Sequence, residues 1–261
     1  VAHIHCGDLS STIDDTARHA ITKLSHIHFP ATEKSAERIL KMGEEKNRVH
    51  VVGAPGIDDI LKCDFLSPDK LAKIYGLDLS KPVLLAIQHP VTAEVQKAAA
   101  QMTSTMSAIK ELGLQTLVIY PNADEGGREM IDTIEEYRKY DFIKLYKSIP
   151  RNHYLSLLKV AAAMVGNSSS GIIEAPSFKL PFVNIGTRQL GRERAGNVIE
   201  SGYEKNEIKK TIEKSIYDKN FIKSLKKIKN PYGNGGTGER ITKILSSVKI
   251  NNKLLQKKLC Y

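Results

Sequence analysis

The sequence predicts an α/β protein made of doubly wound, parallel-sheet domains, for three reasons. Short apolar runs alternate with segments of helical period along the 261 residues, the pattern of strands joined by crossover helices. Four of those runs are followed at once by polar or glycine-rich residues: Gln88-His89-Pro90, Pro121-Asn122-Ala-Asp124, Gly166-Asn-Ser-Ser-Ser170 and Gly186-Thr-Arg188-Gln189. In parallel sheets, ligands sit beyond the strand C-termini. Finally, Pro55-Gly56 breaks the chain and Leu66-Ser-Pro-Asp69 starts a new helix, which puts a domain boundary near residues 54–66.

Taken in order, strands are expected at His3 to Cys6, Ile27 to Phe29, Val49 to Val52, Val83 to Ile87, Thr116 to Tyr120, Phe142 to Leu145, Ala163 to Val165 and Phe182 to Ile185. Helical period marks Asp15 to Leu24, Glu33 to Met42, Ala93 to Leu112, Asp124 to Tyr140 and His153 to Ala162. Thr12-Ile-Asp-Asp15 has the form of a capping box and puts Asp14 and Asp15 at a helix start. Residues 1–60 read as the remnant of a first Rossmann-like domain and 61–235 as a second, five-stranded one. Residues 236–261 read as a helix and basic tail that pack back toward the first. Val1-Ala-His-Ile-His5 alternates like a strand already under way, so preceding residues are expected to be missing or carried elsewhere, a processed terminus being the alternative.

Composition narrows the function classes. No run approaches the roughly 18 apolar residues of a membrane span, no secretory leader pattern opens the residues present, and Cys6, Cys63 and Cys260 lie far apart without metal-like spacing. Free thiols, a cytoplasmic location and no membrane partner are the expectations. The formal charge is +10, but residues 205–258 hold 15 Lys and Arg against four acids, which leaves the rest close to neutral. Lysines at helical spacing without interleaved aromatics read as the solvated face of terminal helices and not as a nucleic-acid surface.

Two groups of residues could do chemistry. Val165 to Ser177 reads as a strand end, a small-residue turn and a helix start; Ser168, Ser169 and the neighbouring amides suit a phosphate, and Glu174, one turn on, suits a ribose diol. A serine-rich helix cap is the structural alternative. His89 and Arg188 offer cationic or donor partners for a diphosphate, with Asn122 beside them, although each has an ordinary turn or ion-pair reading too. The second group is His3, His5, Asp8, Asp14, Asp15, Arg18 and His19. His3 and His5 share a strand face, yet zinc would want a third ligand of comparable quality, so no metal and no cofactor is expected. Asp15 stands three and four residues from Arg18 and His19, a surface ion-pair spacing; clustered carboxylates and imidazoles also serve acid–base chemistry. His26 and His28 show no clear role.

Six ordered blocks resemble one family. His3-Ile-His-Cys-Gly-Asp8, Thr12 to Ser25, His89-Pro-Val-Thr92, Pro121-Asn122, Gly166-Asn-Ser-Ser-Ser-Gly171 with Glu174, and Asn184-Ile-Gly-Thr-Arg-Gln189 with Gly191-Arg192 are similar to the hydrolysing UDP-N-acetylglucosamine 2-epimerases. The resemblance implies a GT-B-like fold of two Rossmann-like domains, the first truncated here, with the active site between them. It implies that UDP's diphosphate meets His89, Ser168 and Ser169, its ribose Glu174 and its uracil the backbone at Ile149, with further contacts at Asn122 and Arg188. The implied reaction removes the C2 proton, expels UDP to leave a glycal and adds water, giving N-acetylmannosamine for sialic or nonulosonic acid synthesis. A UDP-sugar is the implied partner and a homodimer or homotetramer the implied assembly.

Asp14 matches the acidic position favoured for proton transfer, with Asp15, Asp8 and His5 in support. His5 stands where relatives carry Glu, Cys6 and Ser11 replace Gly, and Asp8 replaces Glu. Roughly a hundred preceding residues of the family pattern are not seen, so low turnover is expected of this chain alone. The alternatives are the same chemistry on UDP-diacetamidobacillosamine, a non-hydrolysing epimerase, a GT-B glycosyltransferase, or a non-catalytic UDP-binding fragment.

Overall fold

The computed structural model describes residues 1–10, 13–258 and 260. The capping box expected around Thr12 therefore lies in part outside the described residues. The chain divides into two compact units: one formed by residues 1–62, 190–193 and 230–261, the other by 63–189 and 194–229.

The first unit opens with strand β1 (Ala2–Cys6), helix α1 (Ile13–Leu24), strand β2 (Ile27–Pro30) and helices α2 (Glu33–Lys41) and α3 (Pro55–Lys62). β1 and β2 are parallel, pairing Ala2 with Ile27 and Ile4 with Phe29, and the register slips between Ile4 and Cys6. The expected strand at Val49 to Val52 does not form. An isolated parallel bridge joins His28 and Val49, and His50 N–H to His28 O (2.9 Å) and Val52 N–H to Pro30 O (3.1 Å) follow β2, but a 3-10 turn at Lys46–Arg48 leads in and Gly53, at φ +86°, leads straight out. α2 is capped by the Thr32 hydroxyl, which accepts from Ser35 N.

The second unit runs α4 (Pro68–Tyr75), β3 (Val83–Ile87), α5 (Ala98–Leu112), β4 (Gln115–Ile119), α6 (Gly127–Glu135), β5 (Ile143–Tyr146), α7 (Arg151–Val160), β6 (Ala163–Gly166), α8 (Ser170–Ile173), β7 (Phe182–Ile185), β8 (Val198–Ser201), α9 (Lys205–Tyr217) and α10 (Lys219–Leu225). Ser67 caps α4 with Pro68 at its first position and Gly76 ends it in the left-handed conformation. All six strands are parallel, in the order β5-β4-β3-β6-β7-β8. The expectation was five strands; β8 is a half-exposed edge strand of mixed polarity, Val-Ile-Glu-Ser, with no apolar run to announce it. The helix expected from Ala93 starts as a 3-10 turn, Thr92–Lys97, kinked at Glu94. Buried Leu84, Met102, Met106, Ile109, Met130, Val165, Val183, Ile208 and Ile212 join the sheet to its helices. At about 25 cal/mol per Å² of apolar surface, this burial is the main term holding the unit together.

After α10 the chain returns to the first unit as α11 (Thr237–Ser247) and α12 (Asn252–Leu255). The Asp58 carboxylate caps α11 from another helix, accepting from Thr237 N (2.9 Å) and Gly238 N (2.8 Å), which places an anion where the helix dipole favours one. Most lysines of residues 205–258 are exposed, as expected of a solvated face, but Lys257 departs from it. The Lys257 ammonium donates to the carbonyls of Lys23 (2.8 Å) and Ser25 (2.9 Å) at the end of α1 and pairs with buried Glu44 at 2.6 Å. Glu44 also takes His28 Nε2 (2.9 Å) and Lys23 Nζ (2.8 Å). His28 thus acquires a role, because its buried ring belongs to an ion-pair group. Desolvation pushes its pKa down to about 4 against the pull of Glu44. Among the described residues no helix is long and apolar enough to cross a membrane.

Candidate nucleotide site and acidic cluster

The strand order reverses between β3 and β6, the switch point at which doubly wound sheets open a crevice. Gly166 ends β6 at φ +125°, and a Cβ there would lie 2.0 Å from the Ile87 carbonyl oxygen, so only glycine lets the two strand ends touch. The next residue, Asn167, is 1% exposed. Its carboxamide accepts from His89 N (2.7 Å) and donates to His89 O (2.8 Å). Its own carbonyl accepts from Gln189 Nε2 (2.7 Å) and from the Arg188 guanidinium (3.3 Å).

His89 is thereby fixed at its backbone, and its ring is fixed from the β4 end: Asn122 N–H donates to Nδ1 at 3.0 Å. A ring nitrogen that accepts carries no proton, so the neutral imidazole holds its proton on Nε2. Burial first, then the Arg188 charge, push the His89 pKa down to about 4. The Asn122 side chain is exposed and donates to Asp124 at 2.5 Å.

The serine loop follows. Ser168 is buried and Ser169 half-buried. Gly171 lets α8 lie on β7, since a Cβ would come within 2.4 Å of the Phe182 ring. Glu174, 8% exposed, accepts from the Ser170 hydroxyl at 2.5 Å and forms an ion pair with Arg151 at the start of α7; Tyr154 bonds to Ser170 at 2.5 Å. Ile149, half-buried, stands two residues before Arg151 in the loop that leaves β5. The structure therefore links His89, Arg188 and the start of the serine loop through Asn167, joins Asn122 to them through the His89 ring, and ties Glu174 to the Arg151 end of α7.

The acidic cluster lies in the first unit, and its three carboxylates differ. Asp8 is 2% exposed. It pairs with Arg192 at 3.2 Å, lies 3.6 Å from His5 Nε2 and takes the Tyr232 hydroxyl at 3.4 Å. Burial alone would raise its pKa, but the His5 hydrogen bond and the Arg192, His5 and Arg18 charges outweigh burial and lower it. Asp15 is half-buried and accepts from Ser10 N (2.7 Å), Ser10 Oγ (2.9 Å) and Arg18 (2.6 Å). Asp14 is exposed and has no hydrogen bond or ion pair among the described residues. His3 and His5 do not act as a pair: His3 Nδ1 meets Thr22 Oγ1 at 3.1 Å, while His5, at φ +58° in the register slip, turns to Asp8.

Sequence reasoning missed the Asn167 clasp, Arg151, Tyr154, Arg192 as the partner of Asp8, and Tyr232. Asn167 had a signal, a polar side chain directly after an apolar strand and before the serines. Arg192 lay in one of the six blocks but, about 180 residues beyond Asp8, nothing tied it to that carboxylate, and Tyr232, farther still, had no signal.

The first unit's parallel β1–β2 pair and the second unit's six-stranded sheet fit a GT-B-like α/β protein. The chain matches the UDP-N-acetylglucosamine 2-epimerase family over residues 1–246, and it belongs to that family. It is 38% identical over 257 residues to the UDP-N,N'-diacetylbacillosamine 2-epimerase (hydrolyzing) of Legionella pneumophila, covering 98% of this chain and 67% of the relative. It is 36% identical over 208 residues to the UDP-N-acetylglucosamine 2-epimerase of Neisseria meningitidis (80% and 55%). With the GDP/UDP-N,N'-diacetylbacillosamine 2-epimerase (hydrolyzing) of Campylobacter jejuni the identity is 37% over 218 residues (82% and 56%). The chain thus spans 55% to 67% of the length of these relatives. The fold matches the Neisseria meningitidis UDP-GlcNAc 2-epimerase bound to UDP-GlcNAc with a TM-score of 0.80 at 19% identity, over 95% of this chain and 70% of that one. It matches the Methanocaldococcus jannaschii enzyme in complex with UDP-GlcNAc and UDP at 0.77 and 22%, over 95% and 69%.

Proposed function

We propose that this chain carries the UDP-holding part of a hydrolysing UDP-N-acetylglucosamine 2-epimerase. The observation behind the reading is the hydrogen-bonded frame of His89, Asn167 and Arg188 at the switch point of a parallel sheet, in a chain of this family. The diphosphate sits against His89, Ser168 and Ser169 with Arg188 supplying charge, the ribose diol against Glu174, and the uracil against the Ile149 backbone; Asn122 adds a contact at the β4 end. His89, neutral before binding, donates from Nε2, and a nearby diphosphate then raises its pKa. A donor and a cation aimed at the oxygen that gains charge as the C1–O bond breaks stabilise the departing UDP.

Proton transfer falls to Asp14. Its carboxylate takes the C2 proton, the C2–H electron pair forms the C1–C2 double bond, and UDP leaves with the C1–O pair. Water then adds across the glycal, its hydroxyl to C1 and a proton to the opposite face of C2, giving N-acetylmannosamine, a precursor suited to sialic or nonulosonic acid synthesis. Asp15, Asp8 and His5 support this step by holding Arg18, Arg192 and the turn before α1. The same chemistry on UDP-diacetamidobacillosamine is a second reading, favoured by the 38% and 37% identities to the relatives of that name.

Incubation of the protein with UDP-GlcNAc in D2O, followed by proton NMR, tests the reading. Slow formation of free UDP and of N-acetylmannosamine with deuterium at C2 is expected, in keeping with the low turnover expected of this chain alone. A product that keeps its nucleotide, or that retains hydrogen at C2, would sink it.

A further inference from the structure

His89 and the loop that carries Arg188 are held by side chains that bond to other protein groups. Asn167 uses its carboxamide oxygen and nitrogen on the His89 backbone, its N–H on Ile87 O (3.1 Å) and its carbonyl on Gln189 and Arg188. One buried residue thus links the ends of β3, β6 and β7. On the far side of the β7 loop, the Thr187 hydroxyl donates to Glu94 Oε1 at 2.7 Å. Glu94 is held in turn by Gln101 of α5, which donates to Oε2 at 2.6 Å. The Thr187 amide donates to the Tyr203 hydroxyl at 3.3 Å. Gly186 lies so close to that ring that a Cβ would come within 2.1 Å. Residues 186–189 are therefore fixed on both sides, by Glu94 and Tyr203 at Thr187 and by Asn167 at Arg188 and Gln189.

We infer that Asn167 and the Glu94–Thr187 pair are positioning residues of the diphosphate subsite: Asn167 sets His89 and Arg188 relative to each other, and Glu94 holds the loop that carries Arg188. The inference rests on the UDP-site reading and deepens it. Ordering these groups before the ligand arrives removes an entropic cost from binding. The kinked turn at Thr92–Lys97 acquires a purpose, since it brings Glu94 to Thr187.

The frame acts on phosphate and not on the nucleoside, which separates it from a general structural role. UDP and uridine titrations of the purified chain, by calorimetry and ligand-detected NMR, compare wild type with Asn167→Asp, Thr187→Val and Thr187→Ser. Asn167→Asp loses the donor to His89 O and sets a carboxylate against that carbonyl, so UDP binding weakens about tenfold or more while uridine binding changes by less than about twofold. Thr187→Val removes one hydroxyl at an exposed position and weakens UDP binding about threefold to tenfold; Thr187→Ser restores it. Equal losses for UDP and uridine, unchanged UDP binding in both variants, or no recovery with Ser would overturn the inference. If Asn167→Asp fails to fold, the Thr187 pair still decides. Wild type that binds no UDP overturns the underlying site reading as well, and is told apart because it fails before any variant is compared.

Discussion

The second unit holds its polar groups at strand ends, whereas the first holds its carboxylates along one short stretch of chain, and the two arrangements differ in what they leave free. In the second unit His89, Asn122, Ser168 and Arg188 come from four strand ends that a parallel sheet brings together, and bonds between backbone groups and side chains fix His89, Asn122 and Arg188. In the first, Asp8, Asp14 and Asp15 are sequence neighbours with unequal fates. Arg192 neutralises Asp8, and Arg18 and Ser10 hold Asp15. Asp14 alone faces solvent without a partner among the described residues. On the proposed reading, convergence serves binding, and that lack of a neutralising partner fits Asp14 to the proton transfer proposed for it.

The largest expected effect separates the carboxylates. In the active enzyme, Asp14→Asn should lower turnover by about a thousandfold, the range of a lost general base, with UDP affinity and melting temperature unchanged. Asp8→Ala should act on stability instead. Removing one partner of a buried ion pair costs about 3–5 kcal/mol, visible as a lower denaturant midpoint. A stable Asp8→Ala protein, or a destabilised Asp14→Asn protein, would reverse the roles assigned to them.

A smaller effect compares histidines, one from each unit. His28 and His89 are both held neutral, with pKa values near 4 against 6.5 for a free imidazole. The unfolded chain binds more protons than the folded one between those limits, so both contributions to stability are complete above pH 6.5 and fade as pH falls toward 4. Each amounts to at most about 3 kcal/mol. Imidazole NMR titration should show UDP raising the His89 pKa while His28 stays put. A rise at both, or at neither, would mean that the ligand does not sit at the switch point. The smallest effect concerns Arg151→Gln, which removes the partner of Glu174; a severalfold loss for uridine and UDP alike is expected by calorimetry, in contrast to the UDP-only losses at Asn167 and Thr187.

Much of the second unit was legible in the sequence because β3 to β7 are apolar runs ended by glycine or polar residues, and a parallel sheet allows few ways to place such ends. β8 was not legible, since an exposed edge strand needs no apolar face. The clasp of Asn167 on His89 was hidden because the two residues stand 78 apart, and only the pairing of β3 with β6 makes them neighbours. In the first unit the acidic cluster was visible as a cluster, but its division into held and free carboxylates depends on Arg192 and Tyr232, which no spacing rule connects to Asp8. Lys257 illustrates the same limit: one basic residue in a lysine-rich tail folds inward because α1 ends in carbonyls that need donors.

The central claim is that the switch point of the six-stranded sheet holds the diphosphate. Amide NMR of the chain titrated with UDP tests it most directly. The largest shifts should fall at His89, Asn122, Ser168 to Ser170, Glu174 and Arg188, with Ile149 following for uridine and UDP alike. Shifts confined to the first unit, or spread without a maximum at the serine loop, would contradict it.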